Sequence, residues 1–127
     1  MNKLDGVHPV LVAKVTRVLE AMNLLGHPMI VTDGVRAVEQ QQALYAHGRT
    51  KPGKIVTYDD GVEKRSHHQV HVDGYGHAVD CTFLDDHGQP TWDDAKPWAL
   101  YGACAKSLGL IWGGDWKMAD RPHIELA

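Results

Sequence analysis

Gly76-His77-Ala78-Val79-Asp80-Cys81-Thr82-Phe83 is the stretch of sequence that decides the fold. Its small and apolar residues predict a central strand, in which successive side chains point to opposite faces of a sheet. One face carries His77, Val79, Cys81 and Phe83, and the other carries Ala78, Asp80 and Thr82. An uncompensated carboxylate in a buried strand is costly. Asp80 therefore indicates either a cation partner or an exposed position on a half-buried strand.

Outward from this strand, the sequence predicts helices and further short strands. Apolar residues recur at helical spacing from Val7 to Met22, with Asp5 as the expected cap and Pro9 in the first turn. Two more helices are expected over residues 38–47 and 97–108, the latter capped by Asp93 or Asp94. Strands are expected over residues 28–32 and 122–126. This order predicts an α+β fold with a small, mostly antiparallel sheet and about three helices.

Length and charge limit the classes of protein that fit. A chain of 127 residues predicts a single domain over residues 1–127, without a separate binding domain. The net charge of −3 argues against nucleic acid as a partner, since phosphate binding needs a basic surface. The sequence has no apolar run of ~18 residues, so it predicts no membrane-spanning helix. The first residues lack the pattern of a secretory signal, so we expect a cytoplasmic protein, most simply a monomer.

Histidine is concentrated in one part of the chain. Five of the nine histidines lie between residues 67 and 87. Such a stretch is either a polar surface loop or part of a metal site, because neutral imidazole is the commonest metal ligand. A catalytic zinc usually takes three ligands from His, Asp and Glu. Asp80 and His123 could supply two of them, and the third would come from His67, His68 or His71.

Acidic residues flank His123 on both sides. Asp120 lies three residues before it, and Pro122 stiffens the connection, so a carboxylate can be held beside a ligating histidine. A general base that accepts a proton from metal-bound water has to lie beside the metal ligands in this way. Glu125 shares a strand face with His123 and could accept the second ring N–H of a ligating imidazole. Its alternative role is that of a charge at the end of a strand.

Five motifs in sequence order give the chain a family resemblance from about Val7 to Glu125. They are Thr32-Asp33-Gly34-Val35-Arg36 with residues 39–45, the run 48–57, Ser66-His67-His68…Gly76-His77-Ala78-Val79-Asp80, Trp112-Gly113-Gly114-Asp115-Trp116, and Asp120-Arg121-Pro122-His123-Ile124-Glu125. Together they resemble the phage L-alanyl-D-glutamate endopeptidases. This group belongs with the VanY-like D-alanyl-D-alanine carboxypeptidases and shares its core with a hedgehog signalling domain. The resemblance thus implies a zinc metalloprotease fold.

The resemblance also implies roles for individual residues. It implies that His68, Asp80 and His123 bind Zn²⁺. It assigns the general base to Asp120 and stabilisation of the oxyanion to Arg36, and Ser66 would orient the substrate or a ligand. From their position around the glycine turn, Trp112 and Trp116 could line the substrate cleft, although packing in the core is the ordinary role of tryptophan.

One spacing departs from the family pattern. Residues 69–75 separate His68 from Gly76, where the family has a shorter spacer. An insertion after His68 keeps the distance to Ser66, and this interpretation is preferred. Alternatively, His71 has taken over the ligand role, or Asp73 ligates instead.

The function implied by the resemblance is hydrolysis of peptidoglycan stem peptides, at the L-Ala–D-Glu bond. Such a hydrolase would be a bacteriolytic endolysin, kept in the host cytoplasm until its release to the cell wall and lacking a wall-binding domain. A D-alanyl-D-alanine carboxypeptidase is the alternative with similar chemistry. A non-catalytic zinc-binding module is the alternative of another class, and the presence of Asp120 and Arg36 counts against it.

Overall fold

The structure is a computed structural model, and it describes residues 3–35, 71 and 73–127. Within these residues it contains two α-helices, five strands and one 3-10 turn. Their order is α1 (Pro9–Leu24), β1 (Met29–Asp33), β2 (Ala78–Leu84), β3 (Pro90–Thr91), α2 (Trp98–Ser107), β4 (Ile111–Trp112), the 3-10 turn (Gly113–Asp115) and β5 (His123–Glu125). The helix predicted over residues 38–47 lies outside the described residues.

β2 is the centre of the sheet, as its sequence predicts. The strands follow the order β1-β2-β5-β4, and β3 pairs with β2 as well. β1 runs along one side of β2, whereas β5 and β3 pair with successive parts of its other side. Every strand pair within the described residues is antiparallel. The predicted α+β class with an antiparallel sheet is therefore confirmed.

Both helices pack on one face of the sheet. The core consists of apolar side chains from α1, α2 and the strands, including Leu11, Val15, Val18, Met22, Val79, Cys81, Phe83, Tyr101 and Ile124. Burying a side chain of this size contributes about 1.5–3 kcal/mol. Because side chains alternate along a strand, Ala78, Asp80 and Thr82 belong to the opposite face, which we call the far face. In the pairing of β2 with β5, Asp80 lies opposite His123 and Ala78 lies opposite Glu125. β5 therefore adds His123 and Glu125 to the far face.

Individual residues at the two ends of α1 explain where the helix begins and ends. Pro9 is the first helical residue, as predicted, but the cap is His8 instead of Asp5, because the His8 Nδ1 accepts a hydrogen bond of 3.1 Å from the Val10 N–H. The helix ends at Leu24, and Gly26 follows with a φ of 86°. Glycine adopts this left-handed conformation without the steric cost of a Cβ.

The start of α2 differs from the expectation in a similar way. Pro97 occupies the cap position before Trp98, and no side chain caps the helix. Asp93 accepts a hydrogen bond within the turn before the helix, and Asp94 pairs with Arg121. Both carboxylates therefore have partners other than the first turn of α2. Neither α1 nor α2 is long and apolar enough to cross a bilayer.

A turn near the N-terminus connects the residues on either side of the segment 36–70. The Gly6 carbonyl accepts a hydrogen bond of 2.9 Å from the Gly76 N–H, and the His8 N–H donates one of 2.9 Å to the Gly76 carbonyl. Val7 forms an isolated parallel bridge with Gly76. On its other side, Gly6 lies so close to Val35 that an added Cβ would sit 3.0 Å from the Val35 Cγ2. This turn thus contacts both Val35 and Gly76.

Gly102 is expected to be essential for packing between α2 and β4. A Cβ at this position would overlap the indole ring of Trp112. Alanine normally stabilises a helix by about 0.5–1 kcal/mol relative to glycine, but overpacking of a core costs about 1–3 kcal/mol. We therefore expect Gly102→Ala to lower the free energy of unfolding by about 1–2 kcal/mol, measured by denaturant unfolding. Ser107→Ala, in the exposed last turn of α2, is the control and should stay close to wild type. A Gly102→Ala protein as stable as the wild type would contradict this account.

Candidate metal centre

Asp80, Asp120 and His123 bring potential ligand atoms together on the far face. One such atom from each residue lies within 4.8 Å of the others. The His123 Nδ1 is 3.4 Å from the Asp80 Oδ1 and 3.9 Å from the Asp120 Oδ2. β2 and β5 position Asp80 and His123, because these two residues are direct partners in the antiparallel register. Asp80, which is distant in sequence, thus forms one group with Asp120 and His123.

Glu125 contacts the nitrogen of His123 that does not face the two aspartates. The His123 Nε2 is 2.7 Å from the Glu125 Oε1, and both residues are buried. A carboxylate next to Nε2 favours a proton on Nε2, and Nδ1 is the ring nitrogen on the side of Asp80 and Asp120. The contact is the one expected from the shared strand face. Nδ1 is therefore the nitrogen available to a metal ion.

The carboxylates have a strong effect on the His123 imidazole. Burial by itself would lower the pKa of His123, but hydrogen bonds to Asp80 and Glu125 and the charge of Asp120 raise it to about 9. The surroundings of the ring therefore favour positive charge at this place. Oxygen and imidazole ligands of this kind suit a divalent cation such as zinc. The donor set of the described residues thus fits the predicted metal.

The two aspartates differ in their exposure to solvent. The Asp80 side chain is 20% exposed and lies closer to the His123 Nδ1, whereas the Asp120 side chain is 50% exposed and lies farther away. An enclosed carboxylate close to the imidazole suits a metal ligand. A carboxylate that water can reach beside the same group suits a proton acceptor. The geometry is therefore compatible with different roles for Asp80 and Asp120.

The backbone around Asp120 depends on Gly113. The Asp120 N–H donates a hydrogen bond of 2.8 Å to the Gly113 carbonyl, which also accepts one of 3.2 Å from the Trp116 N–H. A Cβ on Gly113 would overlap the Asp120 carbonyl oxygen and lie 3.0 Å from the His123 Cβ. Gly113 is a functional position that no sequence prediction includes. The signal was the glycine pair between the two tryptophans, which indicates a close approach of backbones.

The two tryptophans of this turn have different surroundings. The Trp116 ring lies 4.9 Å from the His123 ring, and 40% of the residue is exposed. Trp112 is only 9% exposed, and its ring packs against Gly102 and Gly114. Trp116 therefore lies where a substrate could touch it, whereas Trp112 is enclosed and donates its Nε1–H to the Arg121 carbonyl. The substrate contacts of both residues stay predictions.

His71 and Asp73, the alternative ligands, belong to a different cluster. The His71 ring stacks on His77 with centroids 3.8 Å apart, and the Asp73 Oδ2 is 2.7 Å from the His77 Nε2. Neither residue belongs to the group of potential ligands that the structure describes. His8 adds an edge-on contact with His77. The preferred ligand His68 lies outside the described residues, as do Arg36 and Ser66, so their roles stay predictions.

The chain is similar to proteins of known activity. A family model described as D-alanyl-D-alanine carboxypeptidase matches residues 60–126, a range that contains Asp80, Asp120 and His123. The peptidoglycan L-alanyl-D-glutamate endopeptidase CwlK of Bacillus subtilis is 35% identical over an alignment 129 residues long, and this alignment covers 94% of this chain and 73% of that protein.

Solved structures show the same fold. The L-Ala D-Glu endopeptidase ChiX of Serratia marcescens matches with a TM-score of 0.67 and 28% identity, over 98% of this chain and 84% of that one. The vancomycin resistance D,D-pentapeptidase VanY, solved as an E175A mutant with Zn(II), matches with a TM-score of 0.65 and 17% identity. That match covers 94% of this chain and 72% of the VanY chain, and it shows the fold alone. The predicted D-Ala-D-Ala peptidase-like fold is confirmed.

Removing the acceptor at Glu125 should weaken metal binding without touching a ligand atom. Glu125→Leu removes the partner of the His123 Nε2, and loss of such a partner typically lowers metal affinity about 10- to 100-fold. Glu125→Gln keeps an oxygen acceptor and should lose less zinc affinity than Glu125→Leu. Competition with a chromophoric zinc chelator measures both effects. Glu20→Gln, on the exposed side of α1, is the control. Wild-type affinity in Glu125→Leu would show that Glu125 does not orient the imidazole.

Proposed function

The chain belongs to the D-alanyl-D-alanine carboxypeptidase family of peptidases, and we propose that it is a zinc-dependent endopeptidase that hydrolyses the L-Ala–D-Glu bond of peptidoglycan stem peptides. The observation that carries this proposal is the group formed by Asp80, Asp120 and His123, with the Nδ1 of His123 facing both carboxylates. A metal site and a proton acceptor thus lie side by side. A peptidase of this class requires both.

The chain's own residues would divide the work of holding zinc. His123 would bind through Nδ1 and Asp80 through its carboxylate, and His68 is the proposed third ligand. Bound zinc supplies a Lewis acid that stabilises charge developing on the peptide carbonyl and lowers the pKa of water. Glu125 would keep the His123 ring in the ligating orientation. A non-catalytic zinc module would need the ligands but not a solvent-exposed carboxylate such as Asp120.

Asp120 would transfer the protons. Its carboxylate is half exposed and lies 3.9 Å from the His123 Nδ1, so it can accept a proton from the attacking water. It would then deliver this proton to the leaving amine. Arg36 is the proposed donor to the oxyanion, and one such donor is worth about 3–4 kcal/mol. Ser66 and Trp116 are proposed to orient the stem peptide.

The choice of bond rests on the named relatives. CwlK and ChiX are both described as endopeptidases for L-Ala–D-Glu, at 35% and 28% identity. The opening block of residues 32–36 and the run 48–57 support the same choice. We extend the proposal to a phage endolysin that stays in the host cytoplasm until release to the cell wall. Release of terminal D-alanine is the second candidate, because the matching family model is described as D-alanyl-D-alanine carboxypeptidase.

Digestion of purified peptidoglycan tests the proposed reaction. We expect products with new L-Ala carboxyl and D-Glu amino ends, detected by mass spectrometry. The activity should disappear in excess chelator and return when zinc is restored, since metal removal takes away the Lewis acid. Release of D-alanine alone would favour the carboxypeptidase. Undiminished cleavage in chelator, or no cleavage with zinc bound, would overturn the proposal.

Asp120→Ala should separate metal binding from turnover. Asp120 is not among the proposed ligands, so we expect bound zinc to stay near one ion per chain. General base catalysis contributes about 10²- to 10⁴-fold, and kcat should fall by a factor in this range. Elemental analysis and a peptidoglycan turbidity assay measure the two quantities. Asp86→Ala, in an exposed turn, is the matched control. Full activity of Asp120→Ala would remove Asp120 from the role of base.

A further inference from the structure

The backbone next to Asp120 is held by two side chains from the helix side of the sheet. The Tyr101 hydroxyl donates a hydrogen bond of 2.7 Å to the Pro122 carbonyl. The Trp112 Nε1–H donates one of 2.8 Å to the Arg121 carbonyl. The Pro122 carbonyl also accepts a bond of 3.1 Å from the Cys81 N–H of β2. Two consecutive peptide groups after Asp120 are thus fixed to α2, β2 and β4.

These donors are enclosed, so their bonds are not easily exchanged for bonds to water. Tyr101 is fully buried and Trp112 is 9% exposed. A buried donor or acceptor without a partner costs about 1–3 kcal/mol, which makes the observed backbone position strongly preferred over a shifted one. Trp112 is itself held by close packing against Gly102 and Gly114. Both donors are therefore anchored in the core.

Asp120 is held on its other side as well. Its N–H is bonded to the Gly113 carbonyl at 2.8 Å, and its carbonyl accepts a bond of 3.2 Å from the His123 N–H. With the peptide groups on both sides fixed, the freedom left to the Asp120 carboxylate is rotation about its side-chain bonds. The backbone that carries the Asp120 carboxylate is thus held in part from the helix side of the sheet.

We propose that Tyr101 and Trp112 are positioning residues that keep the Asp120 carboxylate in place for proton transfer. The inference rests on the proposed function, because it assumes that Asp120 is the base. Displacement of a reacting group by about 1 Å can cost 10²-fold in rate. Hydrogen bonds to the backbone after Asp120 therefore affect turnover through the position of Asp120 and do not require contact of either side chain with the substrate.

Tyr101→Phe removes one hydroxyl and keeps the ring in the core. We expect bound zinc and KM to stay near wild type, while kcat falls about 10-fold. The matched control is Thr82→Val in β2. Thr82 is fully buried, and its hydroxyl donates a bond of 2.6 Å to the Thr91 carbonyl. Its loss should lower the unfolding midpoint to a similar extent, with kcat unchanged.

A second comparison distinguishes positioning from general loosening of the fold. In an Asp120→Ala background, Tyr101→Phe should cause no further loss of the remaining turnover, since the group it positions is gone. The proposal is overturned if Tyr101→Phe has the kcat of Thr82→Val, or if it lowers turnover by the same factor with and without Asp120. If Tyr101→Phe does not fold, Trp112→Phe is measured by the same criteria. Lack of chelator-sensitive cleavage by the wild type would instead overturn the proposed function itself.

Discussion

The pairing of β5 with β2 is the constraint on which the site depends. Because Asp80 and His123 are direct partners in an antiparallel register, their side chains leave the sheet on the same face and close to each other. A shift of one residue would turn His123 toward the helices and Ile124 toward the far face. Ile124 is fully buried in the core, so the hydrophobic effect that stabilises the fold also keeps this register. The metal site and the hydrophobic core therefore lie on opposite faces of β5.

The two faces of the sheet differ in composition and in role. The face under α1 and α2 is apolar and closely packed, and it supplies a rigid support. On the far face, the carboxylates of Asp80, Asp120 and Glu125 surround a single imidazole. Like charges at this spacing repel one another, so the arrangement depends on a positive charge at its centre. Protonation of His123 can supply this charge, and so can a bound divalent cation.

The sequence predicts the elements that have a clear periodicity. The alternation along β2 and the helical spacing of α1 both give the observed faces, and the motif residues Asp80, Asp120 and His123 come together. Other features have no sequence pattern of their own. β3 has only two residues, too few to show an alternation, and the cap of α1 is a histidine, which is not among the usual capping residues. The bond from Tyr101 to Pro122 joins positions 21 apart and follows only from tertiary packing.

The turn around Gly6 has a consequence for how this fold can vary. Since Gly6 contacts Val35 on one side and Gly76 on the other, the residues at the two ends of the segment 36–75 lie near each other. The entropy of closing a loop grows only slowly with its length. A longer chain between Val35 and Gly76, for example one that contains the spacer of residues 69–75, therefore costs little free energy of folding. The length of this segment can thus differ between related proteins while the strand pairing that brings Asp80 and His123 together stays the same.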